Sequence, residues 1–507
     1  MKIKTIDIKN YKAFYSPKGS HQINIDGKNL FVYGENGSGK SSFYYALKDF
    51  FQSSNEPYVY SETENIFLTQ SQKGKGHIKV TFNPDKDGNP ADKEYELTKR
   101  TNTTYTATDT SIRDAVKLKS FLTYKHLLGI HYINKDSEID LFNLLVNGVL
   151  KHFKSSAVTG SKELGELWKD VKISIAKPLN GRAYNITQKK SDVDTAVNVF
   201  NVAFKKLFQV GGIENIVKYA QPILDKFGYN IKLELRYTQV RPNADYDDYE
   251  RNHVRVKVKY LGKEIDKPHF FLNEARLSAI AISIYLGMIK RHVQGLALKV
   301  LFLDDIFIGL DIGNRLPLLK ILESDFSAYQ IIITTYDKPW YEFLKTSFFS
   351  NNPNWKSYEF YSRRTRKGFD VPIIKEVKGR GDSSHIDYYL TKAQDYYDNA
   401  ENKAAGVYLR SSFEFILKQY CFGRVSIPFK INTSDINTDT FWNSVKRYKR
   451  DNPTRCNLTD NTKDDIDRYI RLVLNPLSHH EINKHEFKNE IQGAITTMTT
   501  LKTELNI

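Results

Sequence analysis

Eight consecutive residues limit the fold of this chain more than any other feature: Gly34-Glu35-Asn36-Gly37-Ser38-Gly39-Lys40-Ser41 fits the pattern G-x-x-x-x-G-K-[ST]. The apolar run Leu30 to Tyr33 leads into it and a helical pattern starting near Ser41 follows. The order predicts a strand, a phosphate-binding loop and a helix, one of the units from which parallel α/β sheets are assembled. Glycines let successive backbone N–H groups curl around an anion, and the helix N-terminus adds its positive dipole. Lys40 then reaches the β- and γ-phosphates of a nucleotide, and the Ser41 hydroxyl is placed for Mg²⁺. Gly34, Glu35, Asn36, Gly37, Ser38, Gly39, Lys40, Ser41 and the adjoining Ser42 are therefore the candidate nucleotide-binding residues, with ATP and Mg²⁺ the expected cofactors.

A parallel sheet covered on both faces needs continuous apolar strands. Val300 to Leu303 and Gln330 to Thr334 are such runs, and helical patterns at Glu274 to Arg291 and near Arg315 to Leu322 precede each of them. The first run ends in Asp304-Asp305, which delivers carboxylates to the sheet edge where ligands bind in open α/β folds. Asp304 is the candidate Mg²⁺ ligand beside Ser41, and Asp305 is the candidate group for polarising an attacking water. Tyr336 follows the second run, at the place where ABC-class ATPases, which this order of segments resembles, have a histidine that senses the γ-phosphate. A phenol there donates one hydrogen bond and carries no charge near neutral pH.

The rest of the chain is organised around this core. Residues 1–150 read as a first lobe, with strands at Ile3 to Ile8 and Gln22 to Ile25 and a hairpin from His77 to Phe82 and Lys93 to Arg100 joined by the turn-rich Asn83 to Pro90. Residues 151–228 read as a helical insertion, with Val193, Val197, Phe200, Phe204 and Leu207 at three- and four-residue spacings and no sustained heptad run. Residues 229–378 read as a second lobe, opening with strands at Asn230 to Tyr237 and His253 to Tyr260. A polar linker, Gly379 to Ser384, precedes a helical region over 385–507. The expected fold class is α/β: a mixed sheet with helices on both faces, an antiparallel β lobe, a short helical insertion and an all-α C-terminal domain.

Composition narrows the function classes. Hydrophobic residues at 40% and charged residues at 26% describe a folded chain, not a disordered one. Cys421 and Cys456 have neither the number nor the spacing for a disulfide framework or a zinc site. The N-terminus alternates without an apolar h-region, and the apolar stretch Leu277 to Ile289 is too short to span a bilayer, so a cytoplasmic protein without a membrane anchor is expected. A formal charge of +16 and a pI near 9.3 favour a polyanionic partner, with nucleic acid the expected one.

Asn10-Tyr11-Lys12-Ala13-Phe14, the phosphate loop, Leu272-Asn273-Glu274-Ala275-Arg276-Leu277-Ser278 and Leu303-Asp304-Asp305-Ile306 together resemble the heads of SMC/RecF-type, ABC-class (AAA-like) ATPases of bacterial antiphage systems. Within these the resemblance is closest to the ATPase subunit of Septu systems, some of which carry a retron, and it covers roughly residues 1 to 375. It implies heads that dimerise, or assemble further, around two nucleotides. The segment from Leu272 resembles the signature that meets a γ-phosphate held by the second subunit; its glycines are absent, which leaves Asn273 for that role, and a plain capped helix start is the alternative. Asp311 in Gly309-Leu310-Asp311 resembles the D-loop. Asp305 stands where the class has glutamate and Tyr336 where it has histidine, so slow hydrolysis is expected. The resemblance further implies a partner nuclease of HNH type and, in some systems, a retron reverse transcriptase with its RNA and DNA. A RecF-like DNA-repair ATPase is a competing reading.

The C-terminal region holds Arg410-Ser411-Ser412-Phe413-Glu414 on a helix and, further on, Leu474-Asn475-Pro476-Leu477-Ser478-His479-His480, in which two adjacent histidines stand just after a helix breaker. Arg410 and Glu414 share one helical face, where a local salt bridge accounts for the spacing. With His479 they also resemble the HEPN-like region of PrrC- and RloC-type anticodon nucleases, in which arginine stabilises the scissile phosphate and histidine moves a proton. That resemblance implies an ATP-regulated, tRNA-cleaving ribonuclease; the alternative is a helical docking domain.

Overall fold

The computed structural model describes residues 1–83, 91–124, 139–160, 162–181, 183–250, 252–292, 296–345, 352–377, 384–428, 437–478 and 488–507. The chain divides into two compact units, Met1–Val377 and Lys378–Ile507. The expected turn at 84–90 and the expected linker residues 379–383 lie outside the described residues, and Ser384 already begins a helix.

The first unit is built on a six-stranded sheet. Its strands are β3 (Asn29–Gly34), β6 (Phe121–Thr123), β10 (Val300–Asp304), β11 (Gln330–Thr335), β12 (Trp355–Arg364) and β13 (Asp370–Val377), in the order β13-β12-β3-β11-β10-β6. All neighbours are parallel except β12 and β13. Both lobes predicted from the sequence contribute to it. Alternate residues of one strand go to opposite cores: Phe31 and Tyr33 to one, Leu30 and Val32 to the other, and the same split separates Leu301 and Leu303 from Val300 and Phe302. Apolar side chains on both faces are why these runs read as continuous instead of alternating.

One core fills the space between this sheet and an antiparallel sheet ordered β2-β1-β4-β5, made by β1 (Ile3–Lys9), β2 (His21–Asn24), β4 (His77–Phe82) and β5 (Lys93–Thr98). The helix α1 (Lys40–Gln52) lies in that core through Phe43, Tyr44, Leu47, Phe50 and Phe51, and α2 (Ser111–Val116) joins it. Buried Gln330 stitches β1 to β11: its Oε1 accepts the Ile3 N–H at 2.6 Å, and its Nε2 donates to Ile3 O at 2.9 Å and Lys28 O at 2.7 Å.

The opposite core joins the sheet to the insertion helices α3 (Leu164–Ala176), α4 (Ile186–Lys206) and α5 (Ile216–Asp225) and to α6 (Glu274–His292). Each insertion helix starts at a polar cap: Glu163 and Glu166 form a reciprocal capping box, and Asn185 and Asn215 accept from Gln188 N and Lys218 N. The five periodic residues predicted as the α4 face, Val193 to Leu207, are all buried. Among the described residues α4, at 21 residues, is the longest helix of the insertion. A separate ribbon, β7 (Ile231–Tyr237), β8 (Val254–Tyr260) and β9 (Lys263–Ile265), packs on this side. Two further helices, α7 (Ile312–Asp325) and α8 (Lys338–Leu344), complete the unit.

The second unit is helical, with α9 (Ser384–Asp398), α10 (Asn402–Cys421), α11 (Thr438–Asp451), α12 (Asp460–Tyr469) and α13 (Lys488–Glu504) around a core that includes Phe413, Trp442, Leu474 and Met498. Cys421 and Cys456 are buried and free. The helix break expected at Asn475-Pro476 does not occur: the chain stays helical from α12 through Ser478. Pro476 follows directly on the π-helical turn Ile470–Leu474 within that run. Among the described residues no helix is long and apolar enough to cross a membrane.

Candidate functional site

β3 ends at Gly34 and α1 begins at Lys40, so Glu35 to Gly39 form a loop at the carboxyl edge of the sheet. Gly37 and Gly39 have φ of 82° and 97°, which a side chain disfavours. At Gly34 a Cβ would collide with the Ser38 hydroxyl, and at Gly39 it would stand 2.7 Å from Pro372 Cγ. Glu35, Asn36, Gly37 and Ser41 are exposed, whereas Ser38, Gly39 and Lys40 are buried. The Ser42 hydroxyl accepts from Ala13 N at 3.3 Å, tying the helix start to the segment after β1.

Lys40 is the electrostatic centre of the loop. Its Nζ donates to Gly34 O at 2.5 Å and to Glu35 O at 3.2 Å. Burial lowers its pKa, while the carboxylates of Asp305, Asp304 and Glu35 oppose that shift. Lys40 and the two aspartates therefore share one field. Buried Ser38 Oγ has no hydrogen-bond partner among the described residues, although buried hydroxyls nearly always find one. An orphan donor, a desolvated ammonium and a glycine-shaped cradle fit the triphosphate of ATP.

β10 carries Asp304 to the same edge, in register with Thr334 of β11 and Thr123 of β6. Thr334 Oγ1 donates to Asp304 Oδ1 at 2.5 Å, which fixes the carboxylate. Asp305 takes a left-handed backbone, φ 53°, that turns its side chain out of the strand direction. Its Oδ1 accepts Tyr336 N–H at 3.0 Å, so the candidate base and the candidate γ-phosphate sensor are joined directly. Burial above all pushes the Asp305 carboxyl up to about 6, and the Asp304 charge adds to the rise against the pull of Lys40 and Tyr336 N–H. The Tyr336 side chain is exposed.

Asn273 caps α6: its Oδ1 accepts Arg276 N–H at 3.1 Å and its residue remains exposed. Asp311 caps α7, its Oδ1 accepting from Asn314 N at 3.0 Å and Asn314 Nδ2 at 2.7 Å. Gly309 lies so close to Ser278 of α6 that a Cβ would collide with the Ser278 hydroxyl. Arg315 was not legible as a site residue. Its Nη1 donates to Asp337 Oδ2 at 2.6 Å and its Nε to Leu310 O at 2.7 Å, which clamps the loop before Asp311 to the turn after Tyr336. An arginine one turn into a helix carries no local mark of such a role. Thr334 had a weak mark, a hydroxyl ending an otherwise apolar strand.

In the second unit Arg410 Nη1 donates to Asn475 Oδ1 at 2.5 Å. Glu414 pairs with Lys418 at 2.5 Å, not with Arg410 as the spacing suggested. Helix geometry explains the choice, since an acid four residues before a base is the favoured order and Arg410 before Glu414 is the reverse. His479 lies outside the described residues.

Residues 2–349 match the family model described as the RecF/RecN/SMC N terminal domain. No curated protein matches the chain. Solved structures do. An Smc head bound to the C-winged helix domain of ScpA is 15% identical, with 75% of this chain and 98% of that one covered and a TM-score of 0.39. An Smc head domain with an extended coiled coil bound to the C-terminal domain of ScpA, derived from Pyrococcus furiosus, is 12% identical over 74% and 96%, TM-score 0.40. The SMC head domain from Thermotoga maritima is 14% identical over 75% and 100%, TM-score 0.34.

Proposed function

The chain belongs to the RecF/RecN/SMC N-terminal domain family, and from that footing we propose that it is a slow, ATP-gated sensor and scaffold whose heads dimerise around Mg²⁺-ATP. It has the SMC-head-like P-loop ATPase fold, with a helical C-terminal region. The observation that carries the proposal is the shared field of Lys40, Asp304 and Asp305 at one sheet edge. Ser41 and Asp304 would hold Mg²⁺, which would neutralise charge on the phosphates. Lys40 and the loop N–H groups would bind the triphosphate, and Asp305 would orient water. Asn273 and Asp311 would meet the nucleotide across the dimer. Two features support slow turnover: an aspartate where a longer carboxylate is usual, and a tyrosine where the class has histidine.

The resemblance to Septu ATPases supports a cytoplasmic role in antiphage defence, regulating a separate nuclease of HNH type and in some systems sitting beside a retron. The test is direct. With Mg²⁺-ATP, Asp305→Ala should accumulate as a dimer or larger assembly by light scattering, because binding survives while water positioning is lost. A mass that ATP does not change in that variant would sink the scaffold reading. Copurification from the native operon should bring down the nuclease.

One observation favours a second reading. Arg410 is hydrogen-bonded to Asn475, four residues before His479 in the chain. Arg410, Glu414 and His479 would then form a metal-independent ribonuclease site. Purified chain that cleaves tRNA in EDTA, and loses this with Arg410→Ala, would establish it; no cleavage would return the region to a docking role.

A further inference from the structure

The basic excess of this chain is not evenly spread. Residues 378–507 hold 19 Lys and Arg against 17 Asp and Glu, which leaves 56 against 42 for residues 1–377. Much of the surface charge described in the first unit is paired: Lys4 with Asp92, Lys79 with Glu94, Lys93 with Asp109, Lys345 with Glu342. The β12–β13 hairpin shows both conditions along its own length. At its base, Lys356 is held by Asp26 at 2.5 Å and Glu376 at 3.1 Å. At its tip, Arg363, Arg364, Arg366 and Lys367 are all exposed and none forms an ion pair with a described residue. The one carboxylate on the tip, Asp370, stands opposite Arg364 in the register.

This tip is built mainly by its backbone, and of its four cations Arg364 alone is seen, among the described residues, to bond to the turn. Thr365 N donates to Phe369 O at 2.8 Å and Gly368 N to Thr365 O at 3.0 Å, with Gly368 at φ 88° closing the turn. Arg364 Nε donates to Gly368 O at 3.1 Å. The turn thus needs Gly368, whereas Arg366 and Lys367 occupy its centre without being residues that turns favour. Behind the turn Phe369 is pinned by Phe67, stacked at 4.1 Å and 6°, and by Tyr15, edge-on at 5.0 Å. The turn is thus held by hydrogen bonds and ring contacts within the first unit.

Its position is set by the sheet. β12 pairs with β3 up to Phe360 opposite Gly34, so Tyr361 to Arg364 continue past the start of the phosphate loop by about 13 Å at the usual rise per residue. A two-stranded ribbon tipped with cations outside any ion pair among the described residues has the shape and charge to lie along, or enter a groove of, a nucleic acid.

We propose that the β12–β13 hairpin is a nucleic-acid-binding element that contacts the phosphodiester backbone through Arg363, Arg364, Arg366 and Lys367. The inference rests on the expectation that this chain contacts nucleic acid and adds the surface that does so. The experiment is fluorescence anisotropy of the full chain with end-labelled 30-mers of single-stranded DNA, duplex DNA and RNA, each over a salt series. The comparison is between the parent, R363Q/R364Q/R366Q/K367Q and the milder R366Q/K367Q. The fourfold variant should lose at least tenfold in affinity for the preferred probe, and the slope of log affinity against log salt should flatten by roughly three. The double variant should lie between. ATP affinity should not change in either, which also reports that they fold; Lys40→Ala tests the nucleotide reading separately. Parent binding retained by the fourfold variant would overturn the hairpin while sparing nucleic-acid contact. Failure of the parent to bind any probe would overturn both. A loss of ATP affinity in step with nucleic-acid affinity, in a variant that keeps the parent's circular dichroism spectrum and melting midpoint, would assign the cations to the nucleotide instead.

Discussion

At Asp305 three demands meet on one side chain: it follows the Mg²⁺ candidate, accepts a hydrogen bond from Tyr336 N–H at 3.0 Å, and lies close enough to Lys40 and Asp304 to feel both charges. Burial is the largest of the influences on it and favours the neutral acid, raising the carboxyl to about 6 from an ordinary 3.8. The folded state consequently binds a proton more tightly than the unfolded chain does. Stability must then fall as pH rises through the window between those two values, and the cost is fully present above about pH 6. Asp305→Asn removes the ionisation and keeps the acceptor for Tyr336. Nucleotide-free protein in EDTA should therefore show little difference between parent and variant at pH 4, with the variant more stable by about 3 kcal/mol at pH 7.5. Denaturation at the two pH values measures this, and a difference that is the same at both would mean that Asp305 is not held in an ion-disfavouring site.

At the scale of elements, what could be read from sequence was what local physics dictates. The phosphate loop is such a case, since only Gly34, Gly37 and Gly39 satisfy its sterics and its flanking strand and helix are contiguous with it. β10 and β11 announced themselves because both of their faces are buried. β6 has three residues, too few for a period, and β12 mixes Lys356, Ser357 and Glu359 into its apolar half before ending in exposed arginines, so neither strand was legible. Contacts between elements distant in sequence left no trace at all. Arg315 with Asp337 is one, and Gln330 is the clearest. It looks like an ordinary polar residue starting an apolar strand, yet it satisfies three backbone groups on two other segments. Gln330→Met keeps nearly the same volume and strands those groups in a core that excludes water. The expected loss is about 3 kcal/mol, seen in urea as a lower midpoint at an unchanged slope. A loss below about 0.5 kcal/mol would show that water or a backbone shift replaces the amide.

At the scale of the whole molecule the hydrophobic cores respect one boundary. Among the described residues, the two clusters of the first unit contain none beyond Val377, and the cluster of the second contains none before it. The first unit's two cores share the six-stranded sheet as a common wall, so the insertion helices and the phosphate loop belong to one compact unit even though sequence reading divides them. The second unit has a large aromatic and aliphatic interior of its own, from Ile386 to Leu505. A unit of that length with a closed core can fold alone. Residues 378–507, expressed separately, should give a helical spectrum and a cooperative thermal transition. Residues 1–377 should do so as well and should be stabilised by Mg²⁺-ATP. Saturation at about a hundred times the dissociation constant contributes about 2.7 kcal/mol, which for a unit of this size raises its midpoint by about 3–6 °C. The midpoint of the isolated C-terminal fragment should not respond, because every residue assigned to the triphosphate lies before Val377. A fragment 378–507 that is unfolded alone, or one whose melting rises with nucleotide, would break this division and require the C-terminal helices to take part in the nucleotide cycle directly.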